Sequence, residues 1–317
     1  MAVARSYRTA TTALLAGALL VVTGLGASEL APSAEVSAPP VGEVHEYRLW
    51  YRNYDSPAVH AALELAFDKT PEYGDYRITR SVEMVQGRAM LELRKAPPDR
   101  QVDIANVATS PSREESLYAI PLPVDGGLLG FRVCVVRKDQ LELYRGINSI
   151  QDLVDRGISI GQGAHWPDTD ILRANGIKVT THTRFETLFT MLAGGRFDCF
   201  ARGVSEVLYD LDSLHDHQLA IEPNLLLAYP MPSYFFVGPD DHDTAQRVQL
   251  GLERAIEDGS FARFLSDYYG RAVDSLNLDR RQILILNNPF LSSDSEPVWR
   301  DALESLRRRI HIGSSRG

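Results

Sequence analysis

Between residues 158 and 203 the apolar and polar positions alternate as strand, turn, helix, strand, helix, strand. Ile158-Ser159-Ile160 has the period of two expected of a strand, and Gly161-Gln162-Gly163 then frees the backbone. Trp166-Pro167-Asp168 predicts a helix start with proline in an early position, and Asn175-Gly176 predicts its end. Ile177 to Val179 begins the next strand. Thr183 and Glu186 have the spacing of a capping box before Phe185, Leu188, Phe189 and Leu192, a stripe at helical period. Gly194-Gly195 closes that helix, and Phe197 to Ala201 supplies a third strand. A glycine loop running into a helix gathers backbone N–H groups at one place, which suits a carboxylate or another anion.

The same alternation continues on both sides. Glu46 to Tyr51 reads as a first strand, followed by a helix from Ser56-Pro57 that carries Val59, Leu63, Ala66 and Phe67. A strand near Arg77 to Val82, a helix around Val85 to Leu93 and a strand from Val102 to Ala108 follow. Pro121, Pro123 and Gly126-Gly127 break the pattern before the apolar strand Phe131 to Val136. Leu225 to Val237 is extended and aromatic, and a long helix runs from Asp240 through Glu257. Repeated strand–helix alternation predicts an α/β fold with parallel sheets.

The N-terminus changes the picture of where the chain works. Arg5 and Arg8 precede an apolar run from Ala13 to Leu25 that is short for a membrane span and ends in small residues. Residues 1–27 are read as a cleaved signal peptide, with a mature N-terminus between Gly26 and Ala34. Residues 28–43, rich in Pro, Ala and Ser, are read as a disordered lead-in. The formal charge is −9, and removing Arg5 and Arg8 with the signal takes it to −11. That balance excludes nucleic acid and an anionic membrane surface as natural partners. Cys134 and Cys199, the chain's two cysteines, both fall in apolar strands. Two buried thiols are expected, with a disulfide as the alternative if the strands are neighbours.

Four spaced segments carry a family resemblance: Thr109 to Glu115, Gly161 to Trp166, Leu192 to Asp198 and Ala255 to Phe264. Together they make residues 45–288 resemble the bacterial extracellular solute-binding proteins of family 3, as a divergent branch. The resemblance implies a two-lobed, type II periplasmic-binding-protein-like fold with a ligand cleft between the lobes. Lobe 1 is expected at 44–130 plus 238–290 and lobe 2 at 131–237, with a C-terminal arm and basic helix over 291–317. It further implies a monomeric periplasmic or secreted binding protein, not an enzyme, with no cofactor, that captures an anionic or zwitterionic small molecule and docks on an ABC permease.

Carried over to this sequence, the resemblance makes Arg113 the residue that pairs with a ligand carboxylate, a contact in which the planar guanidinium gives charge and geometry together. Gly163, Ala164 and His165 occupy the segment that offers backbone N–H groups. The family's usual acid for a ligand ammonium is replaced by Gly203, and Arg202 stands beside it. Arg202 either faces an anion in the cleft or is tied to Asp198 or Glu206. Trp166, Tyr51 and Tyr54 at strand ends complete the expected pocket. Asp168 and Asp170 are expected as helix-start residues favoured by the dipole.

Motifs for catalysis are thin. The chain has no HExxH, P-loop or CxxC pattern. His215-Asp216-His217 is read as a solvated loop in preference to a metal site, and no metal is expected. An exported dehydratase-like enzyme on the same fold would draw on His165, Asp168 and Glu206. A ligand sensor or accessory protein working without a transporter is the remaining alternative.

Overall fold

A computed structural model describes residues 44–214 and 218–291, with Arg300 and Glu304 beyond them. The expected signal peptide and lead-in, the His215–His217 segment and nearly all of the expected C-terminal arm lie outside the described residues.

The first lobe begins with β1 (His45–Leu49), a short helix α1 (Tyr51–Tyr54) and α2 (Pro57–Asp68), with Pro57 in the first turn and Ser56 accepting the Val59 N–H. Next come β2 (Tyr76–Arg80), α3 (Gln86–Leu93), β3 (Ala105–Ala108), α4 (Pro111–Ser116) and β4 (Tyr118–Ile120). β1 and β2 run parallel, and Leu49 bridges to Ile104 just before β3. The α2 positions Ala62, Leu63, Ala66 and Phe67 bury one stripe against the core.

The second lobe contains β5 (Phe131–Arg137), α5 (Ile150–Asp155), β6 (Ser159–Gly163), α6 (Asp168–Ala174), β7 (Lys178–His182), α7 (Phe185–Ala193), β8 (Cys199–Gly203), α8 (Val207–Leu214), β9 (Leu219–Ile221) and β10 (Leu225–Ala228). Most of these strands are buried on both faces. Along β5, Cys134 and Val136 enter one core, while Val133 and Val135 enter the other. Along β10, Leu225 and Leu227 alternate with Leu226 and Ala228 in the same way.

β11 (Ser233–Val237) then returns to the first lobe, where it lies between β3 and β4. The long helices α9 (His242–Glu257) and α10 (Ser260–Ser275) follow, and β12 (Gln282–Ile285) joins β10 at the edge of the seven-stranded sheet. Strand pairing therefore departs from the expected lobe limits. Residues 233–237 sit in the first lobe's sheet, and residues 282–285 sit in the second lobe's sheet. The reason is visible in the sequence: Tyr229-Pro230-Met231-Pro232 interrupts the apolar run that had been read as one extended segment, so the chain crosses there and not at Gly238.

Three further expectations change. Cys134 and Cys199 form a disulfide, because β5 and β8 are antiparallel neighbours and both residues point into the same core. The glycine loop after Ile160 is strand: β6 continues through Gly163, paired to β7 and β8. Finally, α7 begins at Phe185 after Arg184, with no side chain capping it, so the Thr183–Glu186 box does not form.

Candidate functional site

The ends of β3, β6 and β8 and the starts of α1, α3, α6, α7 and α8 surround a cavity of about 540 Å3 between the lobes. Direct contacts cross the cleft around it. The Tyr209 hydroxyl of α8 donates to the Asp55 carbonyl at 2.7 Å. The Arg52 guanidinium lies 3.6 Å from the centre of the Phe185 ring and 3.6 Å from Glu186.

Arg113 is buried just behind this wall. It donates to the Ala108 carbonyl, to Gln86 Oε1 at 2.6 Å and, across the lobes, to the His165 carbonyl at 2.8 Å. All three partners line the cavity, whereas Arg113 itself does not. Its partners are neutral oxygens, so burial lowers its pKa to about 10, with the more distant Asp168 charge working the other way.

Arg202 lines the cavity but is not open to an anion. Its Nε donates to Asp210 at 2.7 Å, a second nitrogen lies 3.1 Å from Glu206, and its side chain is 2 % exposed. Burial alone would lower its pKa; the Asp210 and Glu206 charges outweigh that and raise it. Glu206 is thus a partner of Arg202, as one sequence alternative had it. Asp198 instead accepts from the backbone and hydroxyl of Ser159.

The remaining expected residues divide. Tyr51, Gly163, Ala164, His165 and Trp166 line the cavity. Tyr54 does not, and packs its ring 4.5 Å from that of His60. The Ala164 N–H, expected as a ligand donor, is taken by the His182 carbonyl at 3.0 Å, extending the β6–β7 pairing.

Residues missed from sequence are as informative. Arg132, 2 % exposed in β5, pairs with Asp168 at 2.8 Å and lies 3.4 Å from Glu206. Asp168 also accepts from the Tyr229 hydroxyl at 2.7 Å, so it is the centre of a buried polar cluster and not a simple helix-start residue. The signal was present: an arginine inside the apolar run Phe131 to Val136 must be paired if that strand is buried. Gly203 is explained by the same cluster. A Cβ there would stand 2.9 Å from Glu206 Oε2 and 3.0 Å from an Arg132 nitrogen, so a side chain would displace the carboxylate that both arginines share. Glu206 keeps 39 % of its side chain accessible toward the cavity. Although burial would raise it, Arg202 and Arg132 hold its carboxyl below the usual range. Asp125, between the lobes, goes the other way: burial raises it despite hydrogen bonds from Ser205 and the Gly127 N–H.

This architecture is the two-lobed, type II fold of periplasmic binding proteins. Among solved structures, an amino acid ABC transporter substrate-binding protein from Streptococcus pneumoniae bound to L-arginine aligns with a TM-score of 0.53 at 12 % identity, over 72 % of this chain and 94 % of that one. A structure from work on glutathione import through the cystine ABC importer of Streptococcus mutans aligns at 0.52 and 14 % identity, over 72 % and 96 %. A mutant of ArgBP from T. maritima aligns at 0.50 and 17 %, over 72 % and 95 %. No protein-family model matches the chain. No curated protein matches it in sequence. Among the described residues, no helix is long and apolar enough to cross a membrane.

Proposed function

We propose that this chain is a solute-binding protein that captures a small, carboxylate-bearing molecule between its lobes and presents it to an ABC-type permease. On this reading it works as a monomer in the periplasm or outside the cell, after removal of a signal peptide at 1–27. The observation that carries the reading is Arg113. A guanidinium buried behind the cavity wall with only neutral partners is short of negative charge, and the three oxygens it bonds all belong to that wall. A ligand carboxylate that displaces one of them supplies the missing charge in bidentate geometry. Because one of those oxygens is the His165 carbonyl of the other lobe, carboxylate binding and lobe closure draw on the same group.

The volume supports a solute of amino-acid to short-peptide size. The solved neighbours, substrate-binding proteins of amino acid transporters among them, support the transport role by analogy of fold. Of the three groups the enzyme alternative would draw on, Asp168 and Glu206 are both ion-paired with Arg132, and His165 lines the cavity without either as a free partner. A thermal-shift panel of amino acids, dicarboxylates, short peptides and uncharged analogues tests the proposal. A concentration-dependent rise in Tm confined to carboxylate-bearing solutes is expected. A rise with uncharged or purely cationic solutes alone would overturn the ligand assignment.

A further inference from the structure

Arg202 sits in surroundings that themselves describe a binding site. Its guanidinium carbon lies 4.8 Å from the centre of the Phe185 ring, 5.1 Å from Trp166 and 5.2 Å from Phe200. Those three rings contact one another, with centroids 6.0 to 6.2 Å apart. Two carboxylates, Asp210 and Glu206, complete the enclosure. Aromatic faces and carboxylates around a planar cation are what a protein uses to hold a guanidinium or alkylammonium ligand. Here the chain fills the box with its own side chain. The box is part of the cleft, because Arg202, Trp166, Phe185, Glu206 and Asp210 all line the cavity.

We propose that Arg202 is a specificity-determining residue: a resident cation that occupies an aromatic–carboxylate box and so closes that end of the cleft to guanidinium and alkylammonium solutes. The residue does two things at once. It neutralises Asp210 and Glu206, which would otherwise recruit a cation, and it removes the ring faces on which such a cation would stack. Solutes with a cationic side chain are excluded, while solutes whose far end is neutral, polar or anionic are admitted. The proposal rests on the cleft being the binding site, and its test needs no knowledge of the natural solute.

The experiment is calorimetric titration of ethylguanidinium into the full mature chain as wild type, Arg202→Ala and Arg202→Ala/Asp210→Asn. Saturable millimolar binding is expected in Arg202→Ala, at least tenfold weaker binding in wild type, and loss of the gain in the double variant. Equal behaviour of wild type and a folded Arg202→Ala, or a gain insensitive to Asp210→Asn, would overturn it. If Arg202→Ala does not fold unaided, millimolar ethylguanidinium is expected to restore its native circular dichroism and to fail with the double variant. No recovery would likewise overturn the proposal. A carboxylate panel that gives no Tm shift would refute the transport reading without touching this result.

Discussion

Reducing the Cys134–Cys199 disulfide in the otherwise unchanged protein should lower its stability by an amount set by the loop it closes. The link joins β5 to β8 and spans a sequence separation of 65, so reduction frees that whole segment in the unfolded chain. The chain-entropy relation gives roughly 4 kcal/mol for a loop of this length. For a chain of this size that corresponds to a fall in Tm of roughly 8–16 °C. Reduction is the cleaner perturbation because both sulfurs stay in the core, where Cys134 is 2 % and Cys199 0 % exposed. Cys134→Ala/Cys199→Ala should lose more, since it also empties their volume. Urea unfolding of the oxidised, reduced and double-alanine forms, with thiol titration of the native protein, measures each quantity. Two reactive thiols in protein isolated from an oxidising compartment, or a reduced form with an unchanged midpoint, would refute the reasoning.

Tyr229→Phe removes a buried hydrogen bond to the ion-paired Asp168 and should cost roughly 1.5–3 kcal/mol in urea unfolding. Gly251→Ala should destabilise by roughly 1–3 kcal/mol or more, read from the unfolding midpoint, because its Cβ would lie 1.9 Å from the Ala66 carbonyl oxygen where α9 crosses α2. Glu92, bonded to Lys95 and paired with Arg88, has its carboxyl held below the ordinary glutamate value. Its contribution is therefore present above about pH 4.3 and lost as pH falls through the lower folded value, so wild type and Glu92→Gln should differ at neutral pH and converge in acid.

Sequence pattern carried most of the second lobe. The strand–helix order from Ile158 to Ala201 follows directly from period and punctuation, because each strand is bounded by glycine or a polar turn and each helix has one apolar stripe. What it misplaced were features decided by neighbours distant in the chain. Gly161 to Gly163 looks like a loop by composition, but the flanking strands β7 and β8 supply pairing partners and hold it extended. For the two cysteines the sequence left a disulfide as the lesser alternative, because whether β5 and β8 are neighbours is a matter of topology and not of local pattern. For the site, Arg202 and Trp166 were found by position, yet their relation was not. For Arg202 the sequence offered Asp198 or Glu206 as an ion-pair partner and missed Asp210, which lies two helical turns further along the chain. Arg132, Asp168 and Tyr229 come from three separated segments, and a buried charge cluster of that kind has no period to read.

The central claim is that Arg113 meets a ligand carboxylate in the cleft, and calorimetry on wild type and Arg113→Ala tests it most directly. The titrant is the solute that gives the largest thermal shift in the panel. The account predicts one solute per chain for wild type and a loss of roughly 2–5 kcal/mol in the variant, as expected when one partner of a desolvated charge pair is removed. Affinity unchanged in a folded Arg113→Ala would contradict it and leave that arginine as no more than a link between the lobes.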